Sequence, residues 1–99
     1  MTLLELLADF VNQSVDKTLK IEASDDHDEE EKKFAISVHA CIKDLHGFVF
    51  EYTSMSRQTT SQMDVAFIQQ PFLTAKTVGE LVAAKTAVMA YILAKYKNW

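Results

Sequence analysis

The stretch Phe34-Ala35-Ile36-Ser37-Val38-His39-Ala40-Cys41-Ile42-Lys43-Asp44-Leu45-His46-Gly47-Phe48-Val49-Phe50-Glu51-Tyr52-Thr53 decides the fold. Taken as extended chain, Phe34, Ile36, Val38, Ala40 and Ile42 point one way, and Ala35, Ser37, His39, Cys41 and Lys43 the other. Asp44 to Gly47 then reads as a type I turn with Gly47 in the left-handed bulge position. A second alternation follows, with Phe48, Phe50 and Tyr52 facing away from Val49, Glu51 and Thr53. A helical spacing also runs through Phe34, Val38, Cys41, Leu45, Phe48 and Tyr52. The weight of Phe, Ile, Val and Tyr and the cleaner alternation favour strands. The bulge turn pairs Asp44 with Phe48, Ile42 with Phe50 and Ala40 with Tyr52. A two-residue turn would set Ile42 opposite Val49 and force Glu51 onto the buried face.

Outward from this stretch, Met63, Val65 and Phe67 alternate with Asp64, Ala66 and Ile68, a third short strand ending before Pro71. Both ends of the chain have helical spacing. Leu3, Leu4, Leu7, Phe10, Val11, Val15 and Leu19 mark a helix over 3–19, opened by Thr2 with Glu5 at the capping-box position. Thr77 and Glu80 open a last helix whose inner stripe is Leu81, Ala84, Val88 and Ile92, with Lys95 and Lys97 complementing its negative end. The expected fold is α+β: helix, three-stranded antiparallel meander, helix, with both helices on one sheet face. Residues 1–99 make one domain, and 22–33 form an acidic solvated connection. Phe34, Ile36, Val38, Ile42, Phe50, Tyr52, Val65 and Phe67 are then the buried sheet residues, with Glu51 outside.

With 48% apolar residues and ten aromatics among 99, the chain has enough material for a core. A single cysteine, Cys41, excludes an internal disulfide and suits a reducing compartment. The N-terminus lacks the basic start of a secretory signal, and Glu80, Lys85 and Lys95 interrupt the most apolar segment, so neither export nor a membrane span is expected. These features describe a soluble, cytoplasmic protein.

The formal charge is −4. Asp25, Asp26, Asp28, Glu29, Glu30 and Glu31 place six carboxylates within seven residues. The basic residues after them are scattered, which points to a basic protein partner, or to no charged partner, rather than to DNA or RNA. His27 sits among the acids, but no glycine is near to fold them around a cation, so no metal and no cofactor are expected. His39, Cys41 and Glu51 share the outer strand face, with Thr53 opposite His39. They are the ingredients of nucleophilic catalysis, on a flat surface without oxyanion donors. Val49, Met55, Ala66 and Ile68 are apolar on the same face. Val82, Met89 and Leu93 lie beside the inner stripe of the last helix, with Tyr96 at its edge, and a second chain is one way to cover them.

The order helix, three strands, helix resembles that of double-stranded RNA-binding domains. The resemblance implies phosphate contacts from lysines at the start of the second helix. Here that stretch is Thr77, Val78, Gly79, Glu80, preceded by Lys76. Three functions follow as expectations. The first is a small acidic non-enzymatic protein, similar in size and charge to inhibitors, immunity proteins and host-modifying proteins. It would bind a basic partner, or a second copy, through Asp25, Asp26, Asp28, Glu29, Glu30, Glu31, Met89 and Tyr96. The second is a nucleic-acid module using Lys17, Lys20, Lys43, Arg57 and Lys76. The third is an enzyme built on Cys41 and His39.

Overall fold

The computed structural model describes residues 1–24, 26, 28–52 and 57–96. Among these the backbone forms four helices: α1 (Leu3–Ala23), α2 (Glu29–Phe50), α3 (Gln62–Thr74) and α4 (Val78–Tyr96). All four open on the same chemical device, a short oxygen-bearing side chain that accepts a backbone N–H three residues on. Thr2 accepts from Glu5 at 3.2 Å, Asp28 from Glu31 at 2.8 Å, Ser61 from Asp64 at 3.2 Å and Thr77 from Glu80 at 3.1 Å. At α1 and α3 the third residue reciprocates, Glu5 accepting from Thr2 N–H and Asp64 from Ser61 N–H. Glu80 instead accepts from the N–H of Lys76 at 3.2 Å.

The α+β expectation is overturned, because the described residues contain no strand. One isolated antiparallel bridge joins Thr2 to Thr59, where the α2–α3 connection crosses the start of α1. Residues 34–50 are one continuous piece of α2, and burial follows the helical period. Ala35, Ile42, Leu45 and Val49 are buried, with Phe34, Val38, Cys41 and Phe48 packed partly against them. Alternation fails at the decisive positions: Phe50 is 65% and Ile36 48% exposed, while Val49 and Leu45 are fully buried. Tyr52 is exposed as well. The supposed turn at 44–47 lies inside α2, and Gly47 has no left-handed φ. The third strand is α3, in which Asp64, Ile68 and Phe72 point inward while Met63 and Phe67 stay exposed. α3 also runs through Pro71 instead of stopping before it.

The end helices follow the sequence reading. α1 starts at Leu3 under its capping box and runs four residues beyond 19. Leu81, Ala84, Val88 and Ile92 are buried along α4, as its spacing requires. Asp25, His27, Thr53, Met55 and Lys97 lie outside the described residues.

α1 and α2 pack as an antiparallel hairpin. α4 lies against both α2 and α3, and Phe10 meets Phe72 edge to face with centroids 5.9 Å apart. Leu3, Leu6, Leu7, Phe10, Ile42, Leu45, Ile68, Phe72, Leu81 and Ile92 belong to one core cluster. Each fully buried Leu or Ile contributes about 1.5–3 kcal/mol through removal of apolar surface from water. The body measures 47 × 23 × 22 Å, and the core occupies only part of its long axis. α1 has no buried residue after Ser14, and α2 has none before Ala35. The far half of the hairpin therefore extends beyond the cover of α3 and α4.

Gly47 supplies a direct test of α2. A methyl group there would meet no atom within 4 Å, and the backbone is already helical. Gly47→Ala should stabilise the protein by about 0.5–1 kcal/mol, by removing unfolded-state entropy. Urea denaturation followed by circular dichroism measures it. A loss of stability would restore the left-handed turn.

Candidate functional site

The uncovered half of the hairpin borders a groove of about 880 Å³. One wall is the seam between α1 and α2, where Ile21, Phe34 and Val38 are half-buried. The facing wall is the corner between α3 and α4, with Leu73 61% and Val78 56% exposed. Phe10, Ile42 and Phe72 close its inner end. Lys17, Lys33 and Lys76 stand along the walls, and Asp28, Glu30 and Glu31 stand at the hairpin tip.

The acidic run that sequence reading treats as a solvated connection has a definite place in the fold. Glu22 and Ala23 complete α1, Asp28 caps α2, and Glu29, Glu30 and Glu31 form the first turn of α2. Their charge faces the positive end of the α2 dipole, so part of the cluster has a structural role. All of the described acids here, Glu22, Asp26, Asp28, Glu29, Glu30 and Glu31, are exposed. No lysine or arginine occurs between Glu22 and Glu31.

Met89 and Tyr96, the other residues assigned to a partner, sit elsewhere. Met89 packs partly against the core, and Tyr96 is 2% exposed with its hydroxyl donating to Asp64 Oδ2 at 2.6 Å. Charged replacements at these two positions would open the core, so they are unsuited to probing association. On the same two helices, Val78 and Val82 of α4 and Met63, Phe67 and Leu73 of α3 are exposed.

Sequence reasoning missed Asp64, which it places on an outer strand face. It is 2% exposed, and its carboxylate accepts four hydrogen bonds. Besides the Ser61 N–H at 2.9 Å, its carboxylate accepts from Tyr91 Oη at 2.5 Å, from Tyr96 Oη and from Lys95 Nζ. Burial works to raise its pKa, but the Lys95 ammonium, the Ser61 N–H and the two tyrosine hydroxyls outweigh burial and hold it well below the usual carboxylate range. Burial and the Asp64 charge push the Tyr91 and Tyr96 phenols upward, while the hydrogen bond to Asp64 raises Lys95. A carboxylate with its lone pairs taken and its pKa depressed is poorly placed to accept a substrate proton. It ties the start of α3 to the end of α4. Gln58 Nε2 donates to the Tyr96 carbonyl at 2.9 Å at the same end of the molecule.

His39, Cys41 and Glu51 are not brought together. On a helix, positions two apart face about 200° away from each other, so His39 and Cys41 leave α2 in opposite directions. Glu51 is the C-cap residue, ten positions beyond Cys41. Burial pushes the Cys41 thiol upward and Asp44 adds to this, against the pull of Lys85. His39 instead meets Ser14 across the hairpin, with Nδ1 2.8 Å from Oγ. Ser14 donates its single hydroxyl proton to the Val11 carbonyl at 2.7 Å. The Ser14–His39 bond then requires Nδ1–H as donor, which makes it an interhelical clasp and leaves Ser14 without a base.

Lys17 and Lys76 line the groove, while Lys43 and Arg57 do not. Among the described residues no group of three or more His, Cys, Asp or Glu side chains could hold a metal ion. Among the described residues no helix is long and apolar enough to cross a membrane. Comparison with family models, with curated proteins and with solved structures finds no match to this chain.

Proposed function

We propose that the chain is a non-enzymatic interaction protein that binds a protein partner of basic surface, with the hairpin tip and groove as the contact. The carrying observation is that the groove has apolar walls and opens on Asp28, Glu30 and Glu31. Exposed carboxylates act over a Debye length of about 8 Å at physiological salt, so the tip would orient a cationic segment before the apolar walls engage it. The state of the nucleophile candidates supports a non-enzymatic role: Ser14 has spent its proton and the Cys41 thiol is shifted away from thiolate. Inhibitors and immunity proteins that occlude basic enzymes act in this way, by class alone. A cytoplasmic setting belongs to the same reading and rests on the single cysteine.

Panning a phage-displayed random 16-residue library tests it. Enriched peptides should carry excess Lys and Arg. Their enrichment should disappear on the quadruple variant Asp28→Asn, Glu29→Gln, Glu30→Gln, Glu31→Gln. Asparagine keeps the α2 cap, so that variant stays folded, although losing charge from the first turn should cost it some stability. Peptides without basic excess, or equal enrichment on both proteins, would end this reading.

A further inference from the structure

Resting on that reading, we infer that the groove receives one amphipathic α-helix of the partner, about three turns long, with its Lys or Arg residues at the end that lies over Asp28, Glu30 and Glu31. Three observations fix this occupant. First, the length is set by α1. From Phe10 at the closed end to Ile21 near the tip is eleven residues, about 16 Å of helix axis. Second, the secondary structure is set by what the walls can offer. A peptide bound by strand addition needs a free strand edge for its backbone hydrogen bonds, and the described residues contain no strand. A helix satisfies its own backbone and brings side-chain ridges to a groove walled by helices. Third, the charge order is set by the rim. One end is acidic at Asp28, Glu30 and Glu31, while Lys17, Lys33 and Lys76 stand along the walls.

The guest would complete a packing that the chain leaves unfinished. Past Ser14, the last buried residue of α1, the groove is lined by Ile21 on α1 and by Phe34 and Val38 on α2, and none of these is fully buried. Leucines at i, i+3, i+4 and i+7 of a guest helix would meet Phe34 and Val38 on one side and Leu73 and Val78 on the other.

Three fluorescein-labelled 14-residue peptides test the inference by anisotropy on the full chain at 150 mM salt. The first has a leucine stripe at helical spacing and a cluster of lysines at one end. The second has glutamates in place of those lysines. The third has the composition of the first with the stripe scrambled and the lysine cluster kept. The first should bind at least tenfold more tightly than either of the others. Leu73→Glu with Val78→Glu, both at exposed positions, should weaken it a further tenfold or more while circular dichroism and the melting temperature are retained. Equal binding of the first and third peptides would overturn the helix-in-groove assignment while leaving charge recognition at the tip intact. Binding of none of them, at concentrations where panned basic peptides bind, would also remove the helix. Failure of both peptide sets would remove the parent reading too. Sedimentation of the chain alone should give a monomer. A dimer that the double variant dissociates would assign the groove to a second copy and overturn the proposal.

Discussion

Leu45→Ala should cost about 2–5 kcal/mol, while Phe50→Ala should change stability by less than about 1 kcal/mol. Leu45 is fully buried in α2, so truncation removes its transfer free energy and leaves a cavity among neighbours on α1 and α4. Phe50, near the end of the same helix, is 65% exposed, and among the described residues its ring stacks on His46 at a centroid distance of 6.4 Å. The pair separates the two ways of dividing residues 34–53. In a sheet Phe50 is a core residue whose loss costs about 3–5 kcal/mol, and Leu45 sits in a turn. In a helix the order of the two effects is reversed. Chemical denaturation of both variants at pH 7 decides it, and a larger loss at Phe50 would restore the meander.

The reversal shows why the middle of the chain misleads. Over residues 34–42 both periods fit, since Phe34, Val38 and Ile42 belong to the even set of a strand and also to an i, i+4 row of a helix. Phe, Ile and Val carry β-propensity, but that preference describes half-buried surfaces more than backbone choice, and tertiary packing overrides it here. The better signals stood at the helix starts. Thr2 with Glu5 and Thr77 with Glu80 were legible as starts, and α1 and α4 lie where those signals put them. Asp28 with Glu31 and Ser61 with Asp64 carry the same spacing, and both prove to be N-caps. Read with equal weight, they announce four helices. The acids around Asp28 drew attention as a charge cluster, which hid the cap within it.

The groove was illegible for a different reason. Lys17, Phe34 and Val78 are far apart in sequence, and only the length of the α1–α2 hairpin relative to the α3–α4 corner brings them to one space. The acidic run was visible as charge, but its position at the mouth of that space depends on α2 starting at Glu29. Asp64 was hidden by the period. In a strand its parity is opposite to that of Val65 and points to solvent. In a helix it falls in one row with Ile68 and Phe72 and must be buried. A carboxylate in a core row requires cationic or hydroxyl partners, and α4 supplies them one turn apart, at Tyr91 and at Lys95 with Tyr96.

Asp64→Ala should cost about 3–5 kcal/mol at pH 7, because it leaves Tyr91, Tyr96, Lys95 and the Ser61 N–H facing a void where their common acceptor was. A domain of this size has about 5–15 kcal/mol in total, so the variant should be marginal. Tyr96→Phe removes one donor and keeps the ring, and its smaller loss of about 1–3 kcal/mol stays measurable if Asp64→Ala does not fold. The pH dependence gives an independent reading. Asp64 is depressed in the folded protein, so below an unfolded carboxyl value of about 3.9 the unfolded chain binds the proton first. The stabilisation is therefore full above that value and falls away as pH drops below it. Lys95, Tyr91 and Tyr96 are raised, so from about pH 10 upward the unfolded chain loses protons first and stability falls as pH rises. The parent protein should lose stability at both ends. The difference between parent and Asp64→Ala should be largest across the plateau and shrink at each end, since other carboxylates act on both proteins alike. A difference that is constant from pH 3 to pH 11 would mean that Asp64 contributes packing alone. The α3–α4 clasp would then be a neutral contact instead of a charged one.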